Sequence, residues 1–431
     1  MLVEFGVANF RSIGQKQVLS LVAGSGSSHS ARNIVSLESD QAKYLRSAVI
    51  YGPNAAGKSN LLKAVLVLQQ LVLTTASSQE GVPLNGIVPF LLDKELSEKA
   101  SEFGIVFIAD DGVKYEYFFS ATSKQIEKEW LVAYPNGRPQ RWFEREFIKE
   151  TQKYEWWFGS KFKSEKAEKK VWSDFTRSNS LFLSTAIQLN NEQLKPCFNW
   201  IKDKLIVLTA GVGLNPFLSI NLIKDNQAGQ IMGYLKAADV GIDDISVEEK
   251  DFDQAAFAQS GFQFPQAFGQ GVRVINSTDD SGAVKSKMIQ IITSHKSNQD
   301  EMVGFTIDDE SDGTRKLFEF AGGWIRSLEW GATLLVDELE RSLHPHITKF
   351  LVELFHSSHN LKNAQLIFTT HNTNLLDPSL LRRDQIWFVE RNPKKSTELY
   401  SLLEYKPRKD EALERGYLKG RYGAVPLVGE L

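Results

Sequence analysis

Two stretches far apart in the chain carry the residue types that handle phosphate. Gly52-Pro53-Asn54-Ala55-Ala56-Gly57-Lys58-Ser59 has the spacing G-x-x-x-x-G-K-S. In that spacing the glycines let backbone N–H groups turn onto an oxyanion, Lys58 reaches β- and γ-phosphates, and the Ser59 hydroxyl ligates Mg2+. The stretch from Gly52 to Asn60 is therefore the expected cradle for the phosphates of ATP, with a helix N-terminus adding its dipole. A glycine turn that binds nothing is the competing reading, and the flanking strand and helix patterns weigh against it. Far downstream, Thr333-Leu334-Leu335-Val336-Asp337-Glu338 is an apolar run ending in two acids. Such a run puts carboxylates at the carboxyl edge of a buried strand, where ligands collect in open α/β sheets. Asp337 is expected to hold Mg2+, directly or through water, and Glu338 to orient and polarise the attacking water. Phosphoryl transfer needs this division of labour, because its catalysis is mostly positioning and charge stabilisation.

Three further positions are candidates on weaker patterns. Gln365 to Thr370 reads as a buried strand that ends at His371, which could hydrogen-bond a γ-phosphate or be a satisfied structural histidine. Glu310-Ser311-Asp312-Gly313-Thr314-Arg315 opens a helix. Its Ser-x-Gly turn, with Ser311 and Gly313, presents a hydroxyl and free N–H groups suited to phosphate, or is an ordinary N-cap. Arg11, in the turn Asn9-Phe10-Arg11-Ser12, either approaches the nucleotide or is a surface arginine.

The elements that must position these residues follow from periodicity. Ala48 to Tyr51 reads as a buried strand, and Leu61, Leu62, Val65, Leu66 and Leu73 recur at helical spacing after Lys58. Residues 2–7 and 17–22 alternate as strands. Hairpins are expected at 104–108 with 114–119, and across Asn136-Gly137. The aromatics and lysines of 142–170 read as a half-buried hairpin and a solvated helix face rather than a nucleic-acid platform. Helices are expected at 191–204 and 221–238, after Gly313, and from Pro345 to about Ser357. Residues 251–271 read as a loop rich in Gln, Phe, Ala and Gly, and Asp251-Phe252-Asp253 within it as no metal motif. The expected domains are an N-terminal lobe with the phosphate loop (1–180), an inserted helical lid or arm (181–304), and a C-terminal lobe (305–431).

Composition narrows the partners. A chain of 431 residues with 42% hydrophobic content supports a sizeable core, and a net charge of −3 gives no global drive toward nucleic acid. Cys197 is the only cysteine, which excludes an intrachain disulfide and suits a reducing cytoplasm. The N-terminus lacks a signal-peptide layout and no unbroken run of eighteen apolar residues occurs, so no membrane span is expected.

In order, the phosphate loop, insertion, Ser-x-Gly helix start, acid-ended strand and histidine-ended strand resemble the ABC-type ATPase heads of the SMC/RecF class. The likeness is closer to the overcoming-lysogenization-defect (OLD)-like branch. It is carried by Ala8 to Ser12, Glu310 to Arg315, Asp337 to Pro345, and Phe368-Thr369-Thr370-His371-Asn372. Residues 383–390 and 417–426 resemble the RloA/AbiL-type subgroup of prokaryotic ATPases. The resemblance implies an α/β fold: an ABC-type P-loop ATPase head with a β-rich N-terminal lobe and an inserted helical lid or arm. It also implies heads that pair head to tail around two ATP molecules, as a homodimer or higher homo-oligomer. Ser311 and Gly313 would then contact the γ-phosphate held by the partner subunit, and His371 would be the switch histidine. Two departures stand out: Asp312 takes the place of the first of two glycines usual in the signature, and no glutamine near Pro89 to Asp93 is assigned to the Q-loop. A TOPRIM nuclease domain, frequent in OLD-like proteins, is not expected. RloA-type ATPases are typically encoded beside RloB, a separate protein suspected to be a nuclease, and are associated with phage defence. The implied function is an ATP-hydrolysing sensor that controls such an effector. A RecF-like DNA-repair ATPase acting directly on DNA is the alternative, and a purely structural nucleotide a third reading. The tail from Asp384 could dock the effector or nucleic acid, or simply pack.

Overall fold

The computed structural model describes residues 1–26, 30–37, 40–209, 216–238, 240–252, 272–278, 284–408 and 411–426. The chain forms two compact units, one of Met1–Gly211, Ser327–Glu340 and Leu351–Leu431, the other of Val212–Arg326 and Arg341–Phe350.

The first unit contains two large sheets. One has seven strands in the order Lys153–Phe158, Gln140–Ile148, Ile126–Tyr134, Lys114–Ala121, Ser101–Ile108, Leu2–Ala8, Gln17–Ser20. Period-two alternation builds its inner face: Phe103, Ile105 and Phe107 are buried and lie opposite Phe119, Tyr117 and Tyr115. The Phe103–Phe119 ring pair stacks at 5.0 Å and Phe107–Tyr115 at 5.8 Å, each worth about 0.5–1.5 kcal/mol beyond its buried area. Both expected hairpins form. The second turns on a helical kink at Pro135–Gly137, where Asn136 (φ 56°) and Gly137 (φ 73°) adopt the left-handed region. Trp142, Phe143 and Phe162 are buried here, so this aromatic run feeds the core.

The other sheet of this unit has six strands in the order Leu205–Leu208, Thr333–Val336, Gln365–Thr369, Ser47–Tyr51, Ile386–Arg391, Thr397–Ser401. The first five run parallel and the last antiparallel. Every residue of Ser47–Tyr51, Thr333–Val336 and Gln365–Thr369 is buried, as parallel strands covered on both faces require. The helix Lys58–Thr74 follows the central strand and buries Leu61, Leu62, Val65, Leu68 and Val72 in one core with the seven-stranded sheet. Residues Lys58–Ser77 are also long and apolar enough to cross a membrane, by length and composition alone. In the structure their apolar stripe is core packing.

Helices Phe182–Gln188 and Lys195–Asp203 belong to this first unit, as does strand Leu205–Leu208. The sequence pattern places the start of the insertion at residue 181. The observed unit begins at residue 212.

The second unit holds helices Phe217–Lys224 and Ala228–Ala237, where the sequence reading expected one continuous helical stretch. Asn226, at φ 60°, breaks the helix between them. The unit also contains an antiparallel sheet that the sequence reading did not foresee. Asp244–Asp251 and Val272–Thr278 flank Val284–Lys296, which also pairs with Met302–Thr306. Ile245, Ile289 and Ile291 form its buried face. Asp251 therefore ends a strand, while Asp253 and most of the expected loop lie outside the described residues.

Candidate active site

The phosphate-loop residues turn between strand Ser47–Tyr51 and helix Lys58–Thr74. The turn is crowded from behind. A Cβ at Gly52 would run into the carbonyl oxygen of Val389, and one at Gly57 (φ 115°) into the Thr397 hydroxyl. Only glycine fits at Gly57 without strain. Ala55 also sits at positive φ (62°). Thr397 Oγ1 donates to the Ala56 carbonyl at 2.8 Å and lies 2.8 Å from Ser12 Oγ, which accepts from Asn60 Nδ2 at 2.8 Å. The loop is thus held by a hydroxyl pair from two distant segments. Pro53, Asn54 and Ala55 are not buried, and Ser59 and Asn60 are half-buried.

Lys58 is buried, and its Nζ donates to the carbonyls of Gly52 (2.8 Å) and Pro53 (3.2 Å). Nζ also lies 3.1 Å from His371 Nε2. Burial lowers the Lys58 pKa below its ordinary value, opposed by the charges of Asp337, Glu338 and Glu340. His371 is lowered below 6.5, first by desolvation and then by the Lys58 charge. A neutral imidazole with Nε2 as acceptor of the Lys58 proton satisfies both groups.

Asp337 and Glu338 follow strand Thr333–Val336. Asp337 is buried and its Oδ1 accepts from Thr369 Oγ1 at 2.7 Å. Thr369 Oγ1 in turn accepts the Glu338 N–H at 2.8 Å, and the Thr369 carbonyl accepts the Leu339 N–H at 3.1 Å. Glu338 adopts φ 53°, which turns the chain sharply out of the strand. Glu340 Oε1 accepts the His371 N–H at 2.6 Å, and its Oε2 is buried with no hydrogen-bond partner among the described residues. The phosphate loop, the acid-ended strand and the histidine-ended strand therefore meet at the carboxyl ends of neighbouring parallel strands in one sheet.

Thr397 is absent from the sequence expectations, and Thr369 and Glu340 appear there only within the stretches that carry the resemblance, with no role assigned. Glu340 had a signal, as a third acid after Asp337-Glu338. Arg11 lies in the turn closed by Phe10 N–H to Ile13 O, at φ 52°, exposed, with its guanidinium 5.5 Å from the Phe10 ring.

Ser311 and Gly313 lie in the second unit, at the start of helix Asp312–Trp330. Ser311 Oγ accepts the Thr314 N–H at 3.1 Å, as an N-cap does. Gly313 packs closely: a Cβ there would sit 3.0 Å from the Ser342 carbonyl. Asp312, where the resemblance would place a glycine, is the first helical residue and pairs with Arg315.

A family model described as "AAA domain, putative AbiEii toxin, Type IV TA system" matches residues 47–194 and 226–377. The chain belongs to this family. The matched regions contain the phosphate loop, Ser311, Gly313, Asp337, Glu338 and His371; of the candidate residues only Arg11 lies outside them. Among solved structures, the chain is similar to an Smc head bound to the C-winged helix domain of ScpA (14% identity, 93% of this chain, 97% of that one, TM-score 0.40). It is also similar to the SMC head domain from Thermotoga maritima (12%, 93% and 98%, TM-score 0.38) and to the recombination mediator RecF (14%, 93% and 98%, TM-score 0.37). No curated protein matches.

Proposed function

We propose that this AAA-family chain is a Mg2+-dependent ATPase that pairs head to tail around ATP and thereby controls a separate effector, an RloB-like nuclease, in defence against phage. The observation that carries the reading is the junction of Lys58, His371 and Glu340, which links the phosphate loop to the two strand ends bearing acid and histidine. The family description, with its toxin–antitoxin wording, supports a role in such conflict.

In this reading Gly52 to Asn60 bind the ATP phosphates through backbone N–H groups, and Lys58 gives up its loop carbonyls for phosphate oxygens. Ser59 and Asp337 hold Mg2+. Among the described residues no cluster of three or more His, Cys, Asp or Glu could cage a metal. A hydroxyl and one carboxylate completed by phosphate oxygens and water suit Mg2+. Mg2+ held by Ser59 and Asp337 would supply positive charge against the negative charge developing on the transferred group. Glu338 orients the attacking water, and His371, released from Lys58, hydrogen-bonds the γ-phosphate. Arg11 flanks the nucleotide. Ser311 and Gly313 serve the ATP of the partner subunit. The cytoplasm is the compartment that fits.

Light scattering with Mg2+ and ATP tests the composite site. Glu338→Gln is expected to accumulate an ATP-bound dimer, and Lys58→Ala to bind no ATP. A Glu338→Gln chain that stays monomeric at saturating ATP would sink the pairing. Stimulation of hydrolysis by DNA with no partner protein present would favour the RecF-like alternative.

A further inference from the structure

The turn that carries Ser311 is gripped by a sheet the phosphate chemistry does not use. Glu310 Oε1, one residue before Ser311, accepts from Thr293 Oγ1 at 2.6 Å and lies 2.7 Å from His295 Nε2. Both partners project from strand Val284–Lys296. The other ring nitrogen, Nδ1, lies 3.0 Å from the Gly241 carbonyl. A carbonyl can only accept, so Nδ1 carries a proton. The Nε2 contact is then favourable only while the His295–Glu310 pair holds one more proton. Without it, an imidazole lone pair would face a carboxylate oxygen. Phe305, on the neighbouring strand, packs edge-on against the ring at 5.4 Å. Glu310 and His295 also line a cavity of about 300 Å³ with Ser311, Gly313, Thr314 and His344.

We infer that His295 is a positioning residue, a protonated clamp that fixes the signature turn to the inserted sheet and so sets where Ser311 and Gly313 stand for the partner's nucleotide. The second half of this statement rests on the paired-ATPase reading; the clamp itself does not. The groups facing His295 are Glu310, whose hydrogen bond raises its pKa above 6.5, and Asp243, which adds to the rise, while burial opposes it. His344 is the other titratable ring lining the cavity. Because the folded-state pKa is raised, the clamp is complete below 6.5 and is lost as pH rises through the folded value.

Hydrogen exchange at the amides of residues 311–315 reads the clamp in the intact chain without any nucleotide. Exchange there should quicken as pH rises, beyond the intrinsic chemical acceleration, and should be fast at every pH in His295→Ala. His295→Gln, which keeps one donor but cannot titrate, should remove the pH-dependent part. A melting curve shows whether each variant is folded. Protection at 311–315 that is unchanged in folded His295→Ala, or an excess pH dependence that survives in His295→Gln, would overturn the clamp. ATP hydrolysis from pH 6 to 9 then reads its use. The alkaline decline of the wild type should flatten in His295→Gln, and identical profiles would overturn the link to Ser311. A wild-type chain that hydrolyses no ATP at any pH would refute the ATPase reading and leave the exchange result to stand or fall alone.

Discussion

At the scale of single residues, the site is organised by a proton held between Lys58 and His371. His371 is pushed below 6.5 by desolvation and by the lysine charge, so it is neutral at pH 7 and accepts from Nζ. As pH falls below 6.5 toward its depressed folded value, an imidazolium would stand against an ammonium and the contact would be lost. In a histidine NMR titration of the nucleotide-free chain, His371 should titrate below 6.5. Lys58→Met, which removes the neighbouring cation, should move it upward. A His371 resonance unaffected by Lys58→Met would show that the two side chains do not meet in solution. Lys58 was legible in the sequence because its role is fixed by local spacing. Thr369 and Thr397 were not, since each acts on a segment remote in sequence: Thr369 on Asp337 and Thr397 on Ala56. No local pattern distinguishes them from other strand threonines.

At the scale of elements, a buried ion pair ties two strands of the seven-stranded sheet to the start of a helix. Glu129 and Arg145 are fully buried on adjacent strands, with Arg145 Nε donating to Glu129 Oε2 at 2.9 Å. Glu129 also accepts from the Tyr117 hydroxyl (2.9 Å) and from the N–H groups of Phe182 (2.7 Å) and Leu183 (3.0 Å). The last two open helix Phe182–Gln188, so one carboxylate satisfies two N-terminal donors and complements the helix dipole. Glu129→Ala should cost about 3–5 kcal/mol, because it strands a buried guanidinium. The double change Glu129→Leu with Arg145→Met should recover part of that in urea unfolding; a double variant as unstable as the single one would place the loss in the helix cap instead. The hairpins beside this pair were readable, since aromatic alternation and Asn-Gly turns are short-range signals. The inserted sheet was hidden. Asp244-Ile245-Ser246-Val247-Glu248-Glu249-Lys250-Asp251 shows only two alternating apolar residues, and its pairing lies across a long excursion with Val284–Lys296. Leu205–Leu208 was missed for a related reason: four apolar residues at a sheet edge carry no period that separates strand from helix.

At the scale of the molecule, labour is expected to divide between chains. The purified protein with Mg2+ and ATP should consume ATP while plasmid DNA and tRNA added to it survive. Cleavage that disappears in Lys58→Ala or Glu338→Gln would instead place a nuclease in this chain. The likeness to ATPase heads was legible because four local motifs, the phosphate loop, the Ser-x-Gly helix start, the acid-ended strand and the histidine-ended strand, fall in that order. The extent of the two units was not readable, because Ser327–Glu340 and Leu351–Leu431 fold with Met1–Gly211 while the segment between them, Arg341–Phe350, falls in the other unit.

The six-stranded sheet sets an order of assembly during synthesis. Its central strand, Ser47–Tyr51, gains its parallel neighbours only when Gln365–Thr369 and Ile386–Arg391 have been made, and Thr397, which backs the phosphate loop, arrives later still. At ribosomal rates of 5–20 residues per second, that interval is roughly 15 to 70 seconds. Throughout it the nascent chain holds a complete phosphate motif on an unpaired apolar strand. Chains arrested on the ribosome near residue 360 should therefore yield a protease-resistant lobe and cleavage close to the motif, whereas those arrested well beyond Ser401 should resist at both places.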